Sequence, residues 1–253
     1  MQSLVFSALL SALALTACSD SSAPSSAAVV PATYTAIGDS TAVAAKLDEF
    51  RTALGGFLHA PAAPATDSGR REINWDGVPP ARTNVDTFPG DFFGISRGAF
   101  YTGPGTGFRV DSTGFAAINP GLGAQFKPFS LKKLFMSVGS NVTEVSFDRV
   151  HTVNPGLVNG FGVVFSDVDR AGSTHVAFYD KNDAVLADVD APARAGAQEF
   201  SFVGVVFPAA IVHRVVITSG DAALDSTVTD VSAGGTKDLV VMDDFVYGEP
   251  QPE

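Results

Sequence analysis

From Arg71 to Tyr247 the chain is a succession of short apolar stretches, each closed by a cluster of turn residues. The stretches are Arg71–Trp75, Gly98–Tyr101, Gly107–Val110, Leu134–Val138, Val142–Phe147, Gly160–Phe165, His175–Tyr179, Glu199–Phe207, Val212–Thr218 and Leu239–Tyr247. Between them lie "TGPGTG", "NPGLG", "DKND" and "SAGG". Apolar residues recur there with the two-residue period of strands, and no helix-length pattern interrupts them. A parallel sheet with crossover helices is therefore excluded, and the expected fold is mainly β: an antiparallel, jelly-roll-like β-sandwich. Twenty phenylalanines and twenty-five glycines suit many strands joined by tight turns. No fixed-period repeat is visible, which argues against a propeller or solenoid.

One short helix should precede the sandwich. In "DSTAVAAKLDEFRTALGG", Asp39 or Ser40 can cap the N-terminus and Gly55-Gly56 can stop the C-terminus. Val43, Leu47, Phe50 and Leu54 fall on one stripe, which needs a surface to pack against. The expected organisation is a signal peptide over 1–17, a flexible tether over 18–33, a helical element over 34–60 and a β-sandwich domain over 70–250.

The tether, "SDSSAPSSAAVVPAT", has too little apolar surface to offset the entropy of ordering it. Ahead of it, "MQSLVFSALLSALALTA" carries no charge and ends in small residues before Cys18. Such a run fits a secretory signal and is shorter than the ~20 residues of a bilayer span. The stretch Leu15-Thr16-Ala17-Cys18 resembles the lipobox of bacterial lipoproteins. That resemblance implies cleavage before Cys18, a lipid on Cys18 and a membrane anchor, with Ser19 directing the protein to the outer membrane or cell surface. Cys18 is the only cysteine, so no intrachain disulfide can form.

The net charge of -11, with no basic cluster larger than Arg70-Arg71 or Lys132-Lys133, excludes nucleic acid as a partner. "GISRG" around Ser96 matches a nucleophile pattern that works only where a strand turns into a helix, and "AFYTGPGTG" cannot supply that helix. The four histidines, His59, His151, His175 and His213, lack metal-ligand spacing. "FSDVDRAGST" contains Asp167 and Asp169 in a D-x-D-x-x-G spacing, but without the bidentate glutamate of a helix-loop-helix calcium site, so it reads as a strand end with turn-forming aspartates. "YDKNDAVL" reads as a hairpin turn.

The acidic residues of two strands carry more information. Strict alternation through "DLVVMDDFVYGEP" puts Asp243 with Phe245 and Tyr247 on one face, and Asp244 with Met242 and Val246 on the other. Either face, if buried, holds a carboxylate that needs a cation or an arginine from Arg70, Arg71 or Arg214. In "GRREINWDG", Ile73 and Trp75 should face one way, with Glu72, Asn74 and Asp76 facing the other.

Met242-Asp243-Asp244-Phe245 is similar to the last strand of extracellular jelly-roll modules, including carbohydrate-binding ones. That resemblance implies a structural calcium on Asp243 or Asp244, with Glu72 and Asp76 as partners from the first strand. "GRREINWDG", "GTGF", "GFGVVFSDVD" and "MDDFVYGEP" together resemble a group of secreted bacterial proteins, a likeness that implies no reaction. The leading expectation is a non-catalytic, surface-anchored binding module whose ligand is a glycan or another envelope component, a protein included. The alternatives are a structural or assembly lipoprotein without a small ligand, and a polysaccharide hydrolase or lyase. Glu72 and Asp76 are a poor acid/base pair for the last, because four strand residues separate them by about 13 Å.

Overall fold

The computed structural model describes residues 30–253. The expected signal peptide, Cys18 and most of the expected tether lie outside them. In chain order the strands are β1 Ala32–Gly38, β2 Arg70–Ile73, β3 Ala99–Thr102, β4 Gly107–Asp111, β5 Leu134–Val138, β6 Val142–Phe147, β7 Gly156–Leu157, β8 Gly160–Ser166, β9 His175–Tyr179, β10 Val185–Asp190, β11 Phe200–Val206, β12 Arg214–Thr218, β13 Val241–Gly248 and β14 Gln251–Pro252. Two α-helical segments accompany them, α1 over Ser40–Ala53 and the single turn α2 over Gly94–Arg97.

Two antiparallel sheets face each other. The first runs β1-β11-β8-β13-β5-β4 with β2 also on β13, and the second runs β10-β9-β12-β6-β3. After the β4–β5 hairpin the chain alternates between the layers, with β8, β11 and β13 in the first sheet and β6, β9, β10 and β12 in the second. That is the jelly-roll-like sandwich expected from the strand pattern. Inward residues of both layers make the main core: Phe161, Val163, Val203, Phe245 and Tyr247 meet Val145, Phe147, Val176, Phe178 and Val215.

The helix starts and stops where its residues dictate. Asp39 is the N-cap, its carboxylate accepting the Ala42 N–H at 2.9 Å, and the chain leaves through Gly55 and Gly56, both at positive φ. Val43, Leu47, Phe50 and Leu54 pack on the outer face of the first sheet, against Val164, Phe200, Phe202 and Val246. Phe50 lies directly over Gly162 and Gly204, where an added Cβ would come within 2.7 Å of its ring. The helical element, expected to begin at residue 34, is preceded by β1, a sheet-edge strand paired along its length with β11.

The closing strand departs from simple alternation. The pairing of β13 with β8 shifts register between Met242 and Phe245, a β-bulge that brings both of these residues into the main core. Met242 pairs with Phe135 of β5, whereas Phe245 to Gly248 pair with β2. The bulge therefore sits where the neighbour of β13 changes. Asp243 and Asp244 together stand opposite the single residue Val164, so the face assignment that placed Met242 opposite Phe245 is corrected.

Candidate metal centre

Asp167, directly after β8, takes a positive φ of 76°, which turns the chain out of the sheet and brings Asp169 round beside it. The loop ahead of β13 delivers Asp230. One carboxylate oxygen from each of Asp167, Asp169 and Asp230 lies within 4.8 Å of the others. Asp167 is fully buried and Asp230 is 1% exposed.

These carboxylates are only partly satisfied. Asp169 accepts the Gly196 N–H at 2.7 Å, and Asp230 accepts the Ser232 and Leu239 N–H groups, each at 2.7 Å. The Gln125 side-chain amide reaches Asp167, Asp230 and the Ser232 hydroxyl. Yet Oδ1 of Asp167 and Oδ2 of Asp169 are buried without any partner. None of the three carboxylates is ion-paired among the described residues, and the neighbouring Asp238, also buried, is spent on the Asp169 and Arg170 N–H groups and the Ser173 hydroxyl.

The electrostatics follow. Burial, reinforced by the charges of Asp230, Asp169 and Asp238 and opposed by the Gln125 hydrogen bond, pushes Asp167 up to about 8. Burial, opposed by the Gly196 N–H and reinforced by Asp230 and Asp238, raises Asp169 to about 6. Negative charge is concentrated here in a way that a cation would relieve. The donors are all oxygens, which suit a hard cation rather than zinc or copper. Oxygens ~2.4 Å from a common centre can be at most ~4.8 Å apart, so the observed spacing is compatible with shared coordination. The three carboxylates can bind a metal ion.

The residues singled out from the sequence fall elsewhere. Glu72 is gripped by Arg51, at 2.9 and 2.8 Å, and by Arg70 at 2.6 Å. Asp244 lies 3.9 Å from the same Arg51, so Glu72 and Asp244 are brought together around a guanidinium. Asp243 turns to a different partner set, accepting the N–H groups of Phe129 at 2.6 Å and Ser130 at 3.0 Å and the Ser130 hydroxyl at 2.9 Å. Asp76 accepts the Lys132 N–H at 3.0 Å. Of the arginines considered as partners, Arg70 holds Glu72, whereas Arg71 is buried against Glu249 and Arg214 pairs with Glu144 and Asp183. Ile73 and Trp75 are buried while Glu72, Asn74 and Asp76 are not, as the alternation predicts.

The sequence showed two of the three carboxylates of the centre. The Asp167 and Asp169 spacing was visible, and Asp167 does turn the chain at the end of β8 as expected, but it is also buried inside a cluster of carboxylates. Asp230 gives no local signal, because the carboxylates it meets, Asp167 and Asp169, lie far off along the chain. Around Ser96 a helical turn precedes a strand, the reverse of the order a nucleophile elbow requires. "YDKNDAVL" forms the β9–β10 hairpin, with Asp180 accepting the Asn182 and Ala184 N–H groups.

A second feature is a cleft of about 440 Å³ lined by Arg51, the 58–61 loop, Glu72, Asn74, Arg97 and Asp244.

No protein-family model matches the sequence, and no curated protein matches it. Among solved structures the chain is similar to a glycoside hydrolase family 43 arabinoxylan arabinofuranohydrolase from Bacillus subtilis in complex with cellotetraose, at 14% identity over 63% of this chain and 26% of that one, with a TM-score of 0.30.

Proposed function

We propose that the chain is an exported, non-catalytic β-sandwich binding module, anchored to the membrane through a lipid on Cys18, with a structural calcium ion at Asp167, Asp169 and Asp230. The observation that carries the calcium is the buried, partnerless oxygen of Asp167 inside a cluster of carboxylates with no arginine or lysine paired to it. A carboxylate left that way costs several kcal/mol or stays protonated, and a divalent cation removes the cost. Gln125 adds a further donor. The two ends of a side-chain amide are told apart only by their partners, and turning this one presents its carbonyl oxygen to the ion beside the carboxylates.

In this reading the ion ties the turn after β8 to the loop ahead of β13, fixing loops at one end of the sandwich. A non-catalytic role is supported by the state of the acids weighed for acid/base work: two arginines hold Glu72, and a main-chain N–H holds Asp76. The ligand is a glycan or another envelope component. Calcium titration of the metal-stripped protein by calorimetry tests the centre. Saturable binding of one ion per chain, lost in Asp230→Ala, is expected; absence of binding heat at millimolar calcium, with no ion found by elemental analysis, would remove the proposal.

A further inference from the structure

We propose that the cleft beside α1 is the ligand site and that it takes an acidic saccharide unit, a uronate. This deepens the binding-module reading and rests on it. The cleft, about 440 Å³ in volume, falls in the size range of small-molecule sites, ~300–1,000 Å³. Its lining converges from separate parts of the chain: Arg51 on α1, the 58–61 loop, Glu72 on β2 with Asn74 just after it, Arg97 on α2 and Asp244 at the bulge of β13.

The charges in the cleft are unevenly used. Arg51 is occupied by Glu72 and by Asp48 at 2.9 Å. Arg97 makes no ion pair among the described residues. One of its terminal nitrogens donates to the Glu72 carbonyl, its buried Nε has no partner, and its guanidinium lies 5.3 Å from the centre of the Phe93 ring. A guanidinium without an anion beside an open cleft is suited to a carboxylate, whose two oxygens match its donors.

Asp244 supplies the complementary half. It is 6% exposed, and its Oδ1 is buried without a partner. That acceptor calls for a hydroxyl donor, and the exposed Asn74 amide offers both a donor and an acceptor. Leu58, 46% exposed, gives an apolar patch for the C–H face of a sugar ring. A ligand that answers all of these carries a carboxylate and several hydroxyls on one compact ring. Acetate lacks the hydroxyls, and a neutral hexose lacks the charge.

The test is calorimetric titration of the full-length protein, with calcium held saturating, using galacturonate, its trimer, galactose and acetate. Galacturonate is expected to bind at least about tenfold more tightly than galactose or acetate, a ~1.4 kcal/mol preference. A tighter trimer identifies a polymer as the natural source, and equal affinity a free sugar acid. Arg97→Gln should reduce galacturonate to the galactose level while Arg97→Lys, which keeps the charge but loses the two-donor fork, keeps only part of the preference, and Asn74→Ala, at an exposed position, should weaken binding without lowering the unfolding midpoint. Equal binding of galacturonate and galactose overturns the uronate site while leaving a glycan module standing. No saturable binding by any of the sugars overturns the site outright, as does wild-type affinity in a folded Arg97→Gln protein.

Discussion

The indole N–H of Trp75 donates to the main-chain carbonyl of Asp243 at 3.0 Å, so the first core residue after β2 satisfies the backbone at the bulge of the closing strand. The same indole stacks on Phe135, centroid to centroid at 3.9 Å, and meets Phe88, Phe93, Tyr101 and Phe245 at its edges and faces. Trp75→Ala should cost about 3–5 kcal/mol by removing a large buried ring. Trp75→Phe should cost less, about 1–3 kcal/mol, because the ring packing persists while the Asp243 carbonyl loses its donor. Urea unfolding measures both; a Trp75→Phe protein as stable as the wild type would mean that the hydrogen bond to the bulge contributes nothing.

Arg71 and Glu249 form a buried ion pair at 2.6 Å, with side chains 1% and 0% exposed. The guanidinium also reaches the carbonyls of Ala60, Ala63, Pro64 and Ser96, joining the chain before β2 to the turn at α2. Glu249→Gln leaves a buried cation without its anion and should destabilise by about 3–5 kcal/mol. The double replacement Arg71→Met with Glu249→Leu should cost less than the two single changes added together. Additive losses in chemical unfolding would rule out coupling between the two side chains.

Burial first, and then the neighbouring Asp244 carboxylate, holds Asp243 well above the usual carboxylate range. The native state therefore binds this proton more tightly than the unfolded chain, whose value is about 3.9. Stability from this group is complete below that value and is lost as pH rises through the native one. Asp243→Asn can still accept the Phe129 and Ser130 N–H groups through its carbonyl, so the variant should gain on the wild type as pH rises from about 4 towards neutrality. Denaturation midpoints that keep a constant offset across that interval would contradict the assignment.

Asp167→Asn should have opposite effects in the two states of the centre. With calcium present it removes a charged donor and should lower the midpoint. With chelator it removes the carboxylate that burial and the charges of Asp230, Asp169 and Asp238 disfavour, and should raise the midpoint relative to wild type. A loss of equal size in both conditions would make Asp167 an ordinary packing residue.

The strands were legible where the alternation is clean and the turns are strong. Leu134–Val138, Val142–Phe147 and His175–Tyr179 are read to the residue, and the apolar stripe of α1 is the face it buries. β10 escaped because "VLADVD" is an edge strand with exposed carboxylates and a short apolar pattern. β1 escaped because "ATYTAIG" runs into the helix cap, and its partner β11 is remote in sequence. The bulge broke the two-residue period at the acids on which the site reading depended. Glu72 found Arg51 from the helix, a contact that no local pattern contains. Asp167 and Asp169 carry a visible spacing, but their burial and the arrival of Asp230 depend on the tertiary fold.

Thermal unfolding of the protein with calcium and with chelator tests the metal centre most directly. At about 100-fold above its dissociation constant the ion should contribute ~2.7 kcal/mol. For a domain of this size, at about 2–4 °C per kcal/mol, the midpoint should rise by roughly 5–10 °C. The rise should be much smaller in Asp230→Ala. An identical midpoint in calcium and in chelator would contradict a structural ion at Asp167, Asp169 and Asp230.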